Sequence, residues 1–346
     1  MTERRAYLDA GVGETRGVVT LDGRPERLLI ARDGDLACQA LGAQVVGRVR
    51  KIERQLAIAF VDLGAGPEGI VNLRPEMGRL REGQAIQVEV RAEARAGKGA
   101  ALRYLGEAEG SPRVEQPAPT IEAELAALVK APPQAGAEAR AVADAAEAEA
   151  LERIFALPGG GSISVERTRA LIAVDVDVGE RSAGDSKRAS RAANMAGIAT
   201  AARVLRLKGE GGLVVIDLAG RGHDGPALLI AARGAFGPDN PGVAIGPVSK
   251  FGAMELTVPR RRASVADRLL DADGSPTAQT IALRFVRAIE REAQADAGAR
   301  LAARAAPAVA AAVGPYLRTL TDRFGARLEV AADPGRANEA FEVKAR

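Results

Sequence analysis

The stretch from Leu171 to Leu218 constrains the fold most. It opens on Leu171-Ile172-Ala173-Val174-Asp175-Val176-Asp177 and closes on Gly211-Gly212-Leu213-Val214-Val215-Ile216-Asp217-Leu218. Each end is an apolar run that meets a carboxylate. Between them Met195, Ile198, Ala202 and Leu205 fall at helical spacing and predict a buried stripe, with Lys187, Arg191 and Asn194 on another face. Asp185 or Ser186 is suited to cap that helix, which ends near Lys208-Gly209. Strand, helix, strand over this length is a crossover unit, so its two strands lie side by side, about 4.8 Å apart. Leu213 to Leu218 is apolar except for Asp217, as in a strand buried on both faces. Asp175 and Asp177 are two residues apart and share one strand face. Asp217 comes within one ion's reach of Asp175.

Close carboxylates without neighbouring histidine or cysteine suit a hard cation, Mg²⁺ or Mn²⁺. Such an ion polarises a phosphodiester and lowers the pKa of its bound water. Strand-end aspartates are also common surface or turn residues, so the pair alone does not settle the chemistry. The single cysteine, Cys38, allows no internal disulfide and no cysteine zinc cluster, and a buried position suits it. No G-x-S-x-G occurs, and His223, the only histidine, has no evident serine partner. On the loop after Asp217, either a phosphate or metal contact or plain solvation fits His223. The run Gly159-Gly160-Gly161 lacks a following Gly-Lys-Ser/Thr and reads as a flexible lead-in to a strand, not as a phosphate loop.

The rest of the chain supplies context. Gly17 to Leu21 and Arg27 to Ala31 are β-rich, with turns at Asp22-Gly23 and Asp33-Gly34. Val45 to Ile52, Ala57 to Leu63, Gly69 to Val71 and Ile86 to Val90 are short strands broken by glycine, the pattern of a small barrel. Their wording looks like an S1 domain, a nucleic-acid-binding OB-fold with a basic groove and an aromatic platform. Phe60 is the candidate aromatic, with a place in the barrel core as the competing reading. Ile70 stands where a second aromatic is usual. Lys98, in Gly97-Lys98-Gly99, sits on a tight turn from which it reaches a phosphate or solvent. The formal charge of +3 permits a polyanionic partner without demanding one, and basic residues cluster. The clusters are Arg48, Arg50, Lys51 and Arg54; Arg91, Arg95, Lys98 and Arg103; and Arg260, Arg261 and Arg262.

Residues 107–156 read as a linker with helices, one at Ile121 to Lys130 and one from Ala137 to Ala156 whose glutamates form a solvated face. After the centre come strands around Lys250-Phe251-Gly252, then a long helix from Thr277 to about Ala303. A second helix between Val309 and Phe324 is interrupted at Gly314-Pro315, and two closing strands follow. No signal peptide pattern opens the chain, and no apolar run is long enough to span a bilayer, which predicts a cytoplasmic protein without a membrane partner.

Leu157-Pro158-Gly159-Gly160-Gly161-Ser162-Ile163, Thr168-Arg169-Ala170-Leu171, Val174-Asp175-Val176-Asp177, Asn194, Arg203-Val204-Leu205-Arg206-Leu207 and Gly211 to Asp217 together resemble the ribonuclease E/G family. So does Ser249-Lys250-Phe251-Gly252-Ala253-Met254-Glu255-Leu256. The resemblance covers most of residues 1–290. It implies a multidomain α+β protein: a reduced RNase H-like part at 1–35, an S1-like OB barrel at 36–106, a DNase I-like catalytic domain at 157–265 and a small α/β domain at 275–346.

The function implied is a Mg²⁺-dependent endoribonuclease acting on single-stranded ribosomal or messenger RNA and leaving 5′-phosphate ends. By the same resemblance Asp175 and Asp217 hold the metal, and Asp177, where the family usually has Asn, orients the ion or its water. Phe60 and Lys98 contact RNA. Arg48, Lys51, Lys187, Arg191, Asn194, Lys250, Arg260 and Arg261 are further candidate RNA contacts. The family's 5′-end sensor segment and zinc-link cysteines have no counterpart, so no zinc is expected and any homodimer forms without it. The alternative is an RNA-binding protein that keeps the fold without cleaving.

Overall fold

The computed structural model describes residues 3–95, 98–179, 186–238, 240–296, 298–337 and 339–346. Gly97, the loop after Gly179 and the Asp185 cap lie outside them. Among the described residues the chain is α+β, with four sheets, an architecture compatible with several domains. The first is an antiparallel meander of β1 (Arg4–Ala10), β2 (Glu14–Leu21) and β3 (Arg24–Arg32). Asp22 and Gly23 join β2 to β3 with φ of 51° and 78°, the left-handed pair that a two-residue hairpin link demands. The Arg-rich β1 carried no strand signal in the sequence.

The barrel is built from β4 (Gln44–Glu53), β5 (Ile58–Asp62), β6 (Gly69–Asn72), β7 (Ala85–Ala92) and β8 (Ala101–Glu107), and β9 (Arg113–Gln116) adds to β4 outside it. The bonded order is β5-β6-β8-β7-β4, and β4 closes back on β5. Alternate residues, among them Val45, Val49, Ala59, Val61, Ile86 and Val88, fill the interior.

The helices α1 (Ile121–Val129) and α2 (Ala137–Leu151) flank β10 (Gln134–Ala135), which pairs in parallel with β1. Thr120 caps α1 through the N–H of Ala123. Ile121 and Leu125 of α1 pack with Ala6 and Val19, and Ala139, Ala143 and Ala146 of α2 pack with Tyr7, Val18 and Leu28. These helices therefore cover the first sheet. The expected solvated glutamate face of α2 is corrected here: Glu147 is buried. It meets Arg16, Arg284 and Arg287, partners too far along the chain for helical periodicity to reveal.

The central sheet comprises β11 (Ile154–Ala156), β12 (Ser162–Arg167), β13 (Ile172–Asp177), then α3 (Ser186–Lys208), β14 (Gly212–Asp217), α4 (Gly225–Phe236), β15 (Ala244–Val248) and β16 (Ala253–Val258). Its order is β11-β12-β13-β14-β16-β15, with β13 and β14 parallel as the crossover demands. The turn at Gly161 is tight. Its φ is +74°, and a Cβ there would lie 2.3 Å from the Asp177 carbonyl. Val174, Val176, Val214 and Ile216 pack under Ile198, Ala202, Leu205 and Phe236 from α3 and α4. The opposite face stays open. Leu213 is 41% exposed, so the reading of β14 as buried on both faces fails. Its helices lie on one side only.

After α5 (Val265–Leu269), the last unit holds α6 (Ala278–Ala295), β17 (Leu301–Ala305), α7 (Pro307–Ala312), α8 (Gly314–Phe324), β18 (Leu328–Ala332) and β19 (Phe341–Ala345). The helix expected to reach Ala303 ends at Ala295. Leu301 to Ala305 instead forms the central strand, with Leu301, Ala303 and Ala305 buried on one face. Side-chain propensity favours helix in this Ala-rich run, but pairing on both edges overrides it. Arg32 ties this unit to the first sheet by donating to Glu14 (2.8 Å) and to Thr280 (3.0 Å).

Candidate active site

The parallel register pairs Asp175 directly with Asp217. Their Cα atoms therefore sit on adjacent strands about 4.8 Å apart. Both side chains leave the face opposite α3 and α4, because Val174, Val176 and Ile216 alternate into the core. Both are exposed, and among the described residues neither has an ion-pair or hydrogen-bond partner. Like charges side by side in a sheet repel. An exposed, uncompensated carboxylate pair suits a hard divalent cation that keeps most of its waters. Among the described residues no group of three acids, histidines or cysteines stands close enough to hold a metal, so the fit is to a two-carboxylate set. Asp177 lies further along the same face, and its Oδ1 accepts from the Gly179 N–H at 3.0 Å. It shapes the turn that leaves β13.

The elements beyond the strand ends gather around this pair. Leu218 donates its N–H to the Gly252 carbonyl at 3.2 Å, which brings the Ser249–Gly252 turn beside Asp217. Lys250 lies 4.9 Å from the ring of Phe251, and Phe251 is 84% exposed. Sequence reasoning left Phe251 out of the site. Its signal was an aromatic between lysine and glycine on a turn, in a chain with only 3% aromatics. Lys187 and Arg191 of α3 share a hollow of about 230 Å³ with Arg221 and His223 of the loop after β14. Arg191 pairs with Asp224 at 3.2 Å. His223 is half-buried, and a Cβ on Gly252 would meet its Nε2 at 3.1 Å.

Asn194 needs correcting as an RNA contact. It is 1% exposed. Its Nδ2 donates to the Ala219 carbonyl at 3.0 Å, and its Oδ1 accepts from the Ala219 N–H at 2.8 Å. Both ends of the amide are used in fixing the loop two residues after Asp217. Met195, expected inside, is 38% exposed. Ile198, Ala202 and Leu205 are buried as expected, and at the start of the stripe Asn194 takes the inner position, its amide fully satisfied there.

Arg260, Arg261 and Arg262 do not form one patch. Arg260 pairs with Asp267, Arg261 donates to the Pro241 carbonyl at 3.2 Å, and Arg262 pairs with Glu124 of α1. Successive residues of an extended segment face different neighbours, and of these three side-chain contacts the Arg262–Glu124 pair is the one that reaches a helix covering the first sheet. Arg48 is likewise committed, to the carbonyls of Gly83 (2.9 Å) and Gly110 (3.1 Å). Lys51 is exposed and pairs with Glu53.

On the barrel, Phe60 lies outside the core. Ala59 and Val61 point inward, while Phe60 stands half-buried in an outer row with Lys51 and Ile70 as register partners. Lys98 is exposed, and Arg95 and Lys98 exchange backbone hydrogen bonds of 2.9 and 2.7 Å across their hairpin.

Residues 113–262 match the profile of the Ribonuclease E/G family. Ribonuclease E of Escherichia coli (strain K12) is 30% identical over 154 residues, covering 42% of this chain and 14% of the relative. Ribonuclease G of Salmonella typhimurium (strain SL1344) is 28% identical over 211 residues, covering 56% of this chain and 42% of the relative. A chloroplastic Ribonuclease E/G-like protein of Arabidopsis thaliana is 31% identical over 120 residues, covering 33% and 12%. The chain thus spans less than half the length of these relatives. The segment that matches the ribonuclease E/G profile includes both register-paired aspartates. Among the described residues no helix is long and apolar enough to cross a membrane.

Proposed function

We propose that the chain is a Mg²⁺-dependent endoribonuclease acting on single-stranded RNA and leaving 5′-phosphate ends. The observation that carries this reading is the register pairing of Asp175 with Asp217 on an open sheet face. When bound there, Mg²⁺ supplies Lewis-acid activation of the phosphodiester and of a water. Asp175 and Asp217 hold it, and Asp177 fixes the turn beside them. Asn194 keeps the Asp217 loop in place. Lys187, Arg191 and Lys250 hold phosphates near the strand ends, and Phe251 offers a base a stacking surface. The barrel, whose strands follow the first-second-third-fifth-fourth order, acts as an S1-type OB barrel gripping RNA through Phe60 and Lys98. The central sheet takes the DNase I-like catalytic role, and the strands within residues 1–35 the reduced RNase H-like one. Work on ribosomal or messenger RNA in the cytoplasm follows from the same reading.

The test is incubation of end-labelled single-stranded RNA with the chain in Mg²⁺ and in EDTA. Metal-dependent internal cuts with 5′-phosphate ends are expected. Binding without cutting in either Mg²⁺ or Mn²⁺ would leave the non-catalytic RNA-binding protein as the reading.

Phe251→Ala is expected to weaken RNA binding by about 1–3 kcal/mol, the range for one base stacked on an aromatic. KM rises while kcat changes less. An 84% exposed side chain contributes little to stability, so the melting temperature should hold. An unchanged KM removes Phe251 from the site.

A further inference from the structure

The open face of the central sheet leads somewhere. Leu213 lies on the same face of β14 as Asp217, four residues on, and Leu171 immediately precedes β13, four residues before Asp175. Four residues of strand span about 13 Å. At that distance from the acids, at the start of β13 and β14, Leu171 and Leu213 line a groove of about 700 Å³. Its far wall is the barrel hairpin of Arg95 and Lys98, and its near wall is the Arg167–Ala170 turn between β12 and β13.

The charge in this groove is unbalanced. Asp267 is the one acid in its lining, and it is taken by Arg167 at 2.8 Å and by Arg260. Arg95, Lys98 and Arg169 have no carboxylate partner among the described residues. Many arginines elsewhere in the chain are paired: Arg16, Arg32, Arg203, Arg262 and Arg287 each meet an acid. Three such cations around an exposed Leu213 and a half-buried Leu171 fit a strand of alternating phosphates and bases.

We infer that this groove is a second RNA-binding subsite, in which Arg169 and Arg95, beside Lys98, take backbone phosphates and Leu171 and Leu213 carry the bases along the open face toward Asp175 and Asp217. The inference rests on the proposal that the chain binds single-stranded RNA. It adds a fixed path: RNA gripped by the barrel crosses the sheet along its strands. Arg169 sits on a turn anchored at both sides. Thr168 Oγ1 donates to the Leu171 carbonyl at 2.8 Å and accepts from the Leu171 N–H at 3.1 Å. The guanidinium is thus carried on an ordered turn.

Binding separates this subsite from the chemistry. The full chain carrying Asp217→Asn is titrated, without divalent metal, against a short fluorescein-labelled single-stranded RNA over a series of salt concentrations. Adding Arg95→Ala and Arg169→Ala together is expected to weaken binding about tenfold at low salt. The log–log salt slope should fall by about 1.4, which is about 0.7 for each phosphate no longer neutralised. Arg169→Lys keeps the charge and should retain the slope. Arg318→Ala, at a 95% exposed position on α8, should leave affinity and slope unchanged. The inference is overturned if the double variant matches its parent, or if Arg169→Lys loses as much as alanine. If the parent itself binds no single-stranded RNA, the proposed function falls together with the subsite.

Discussion

Asp217→Asn is expected to lower the rate of RNA cleavage by on the order of 10²- to 10³-fold. That is the several kcal/mol of charge stabilisation that a bound divalent ion supplies, at about 1.4 kcal/mol per decade. Asp175→Asn should cost a similar amount. The double variant should be little worse than either single one, because the two carboxylates act as one donor set. Stability should move the other way. In the absence of metal the pair is two like charges in register on adjacent strands, with no partner among the described residues. Removing one charge should stabilise the fold by roughly 0.2–1 kcal/mol. Adding Mg²⁺ should raise the melting temperature of the wild type by mass action and leave the Asn variant unmoved. Metal-dependent melting that persists in both Asn variants would place the ion elsewhere, whatever the cleavage assay reads.

The site was legible in the sequence because its geometry is local. Two apolar runs flanking a helical stripe determine a crossover, and a crossover makes the strands parallel neighbours. The ending of each run on aspartate then becomes a pair. What escaped was set by partners distant in sequence or by the main chain. The pattern puts Asn194 on an outer face of α3 and Met195 on the inner one because it counts hydrophobicity, while the Ala219 backbone satisfies the amide. Arg260 to Arg262 read as one patch because adjacency in sequence resembles adjacency in space; the three in fact reach Asp267, Pro241 and Glu124. The strand Leu301–Ala305 is alanine-rich, and only its two pairing partners make it a strand. The open face of β14 depends on where helices are absent, which no strand's own composition records.

The largest effect on stability is expected away from the acids, at Glu147. Its carboxylate accepts from Arg16 at 3.0 Å, Arg284 at 2.9 Å and Arg287 at 3.3 Å. Arg16 also donates to Asp9 at 2.6 Å and Asp144 at 2.7 Å, and Arg287 reaches Glu14. The network joins β1, β2, α2 and α6, so one side chain holds the first sheet, its covering helix and the last domain together. Replacing a buried ion pair with apolar groups is often neutral, but removing one partner leaves the other's charge buried. Glu147→Ala takes the carboxylate from Arg284 and one of the partners from Arg16 and Arg287, which keep Asp9, Asp144 and Glu14, and should cost about 3 kcal/mol, the low end for breaking a buried pair, read as a lower urea midpoint. Glu329→Ala, exposed on β18, should stay within about 0.5 kcal/mol of wild type.

Acid titration of that difference tests the cause. Burial disfavours the charge on Glu147, but Arg287, Arg16 and Arg284 outweigh it and hold the carboxyl below the usual glutamate range. A folded pKa below the unfolded one gives stability that is fully present above the unfolded value, about 4.3, and lost as pH falls through the folded value. The gap between wild type and Glu147→Ala should therefore be constant near neutrality and narrow only in acid. A gap that stays constant through the acid range would mean that Glu147 acts by packing, with its charge contributing nothing.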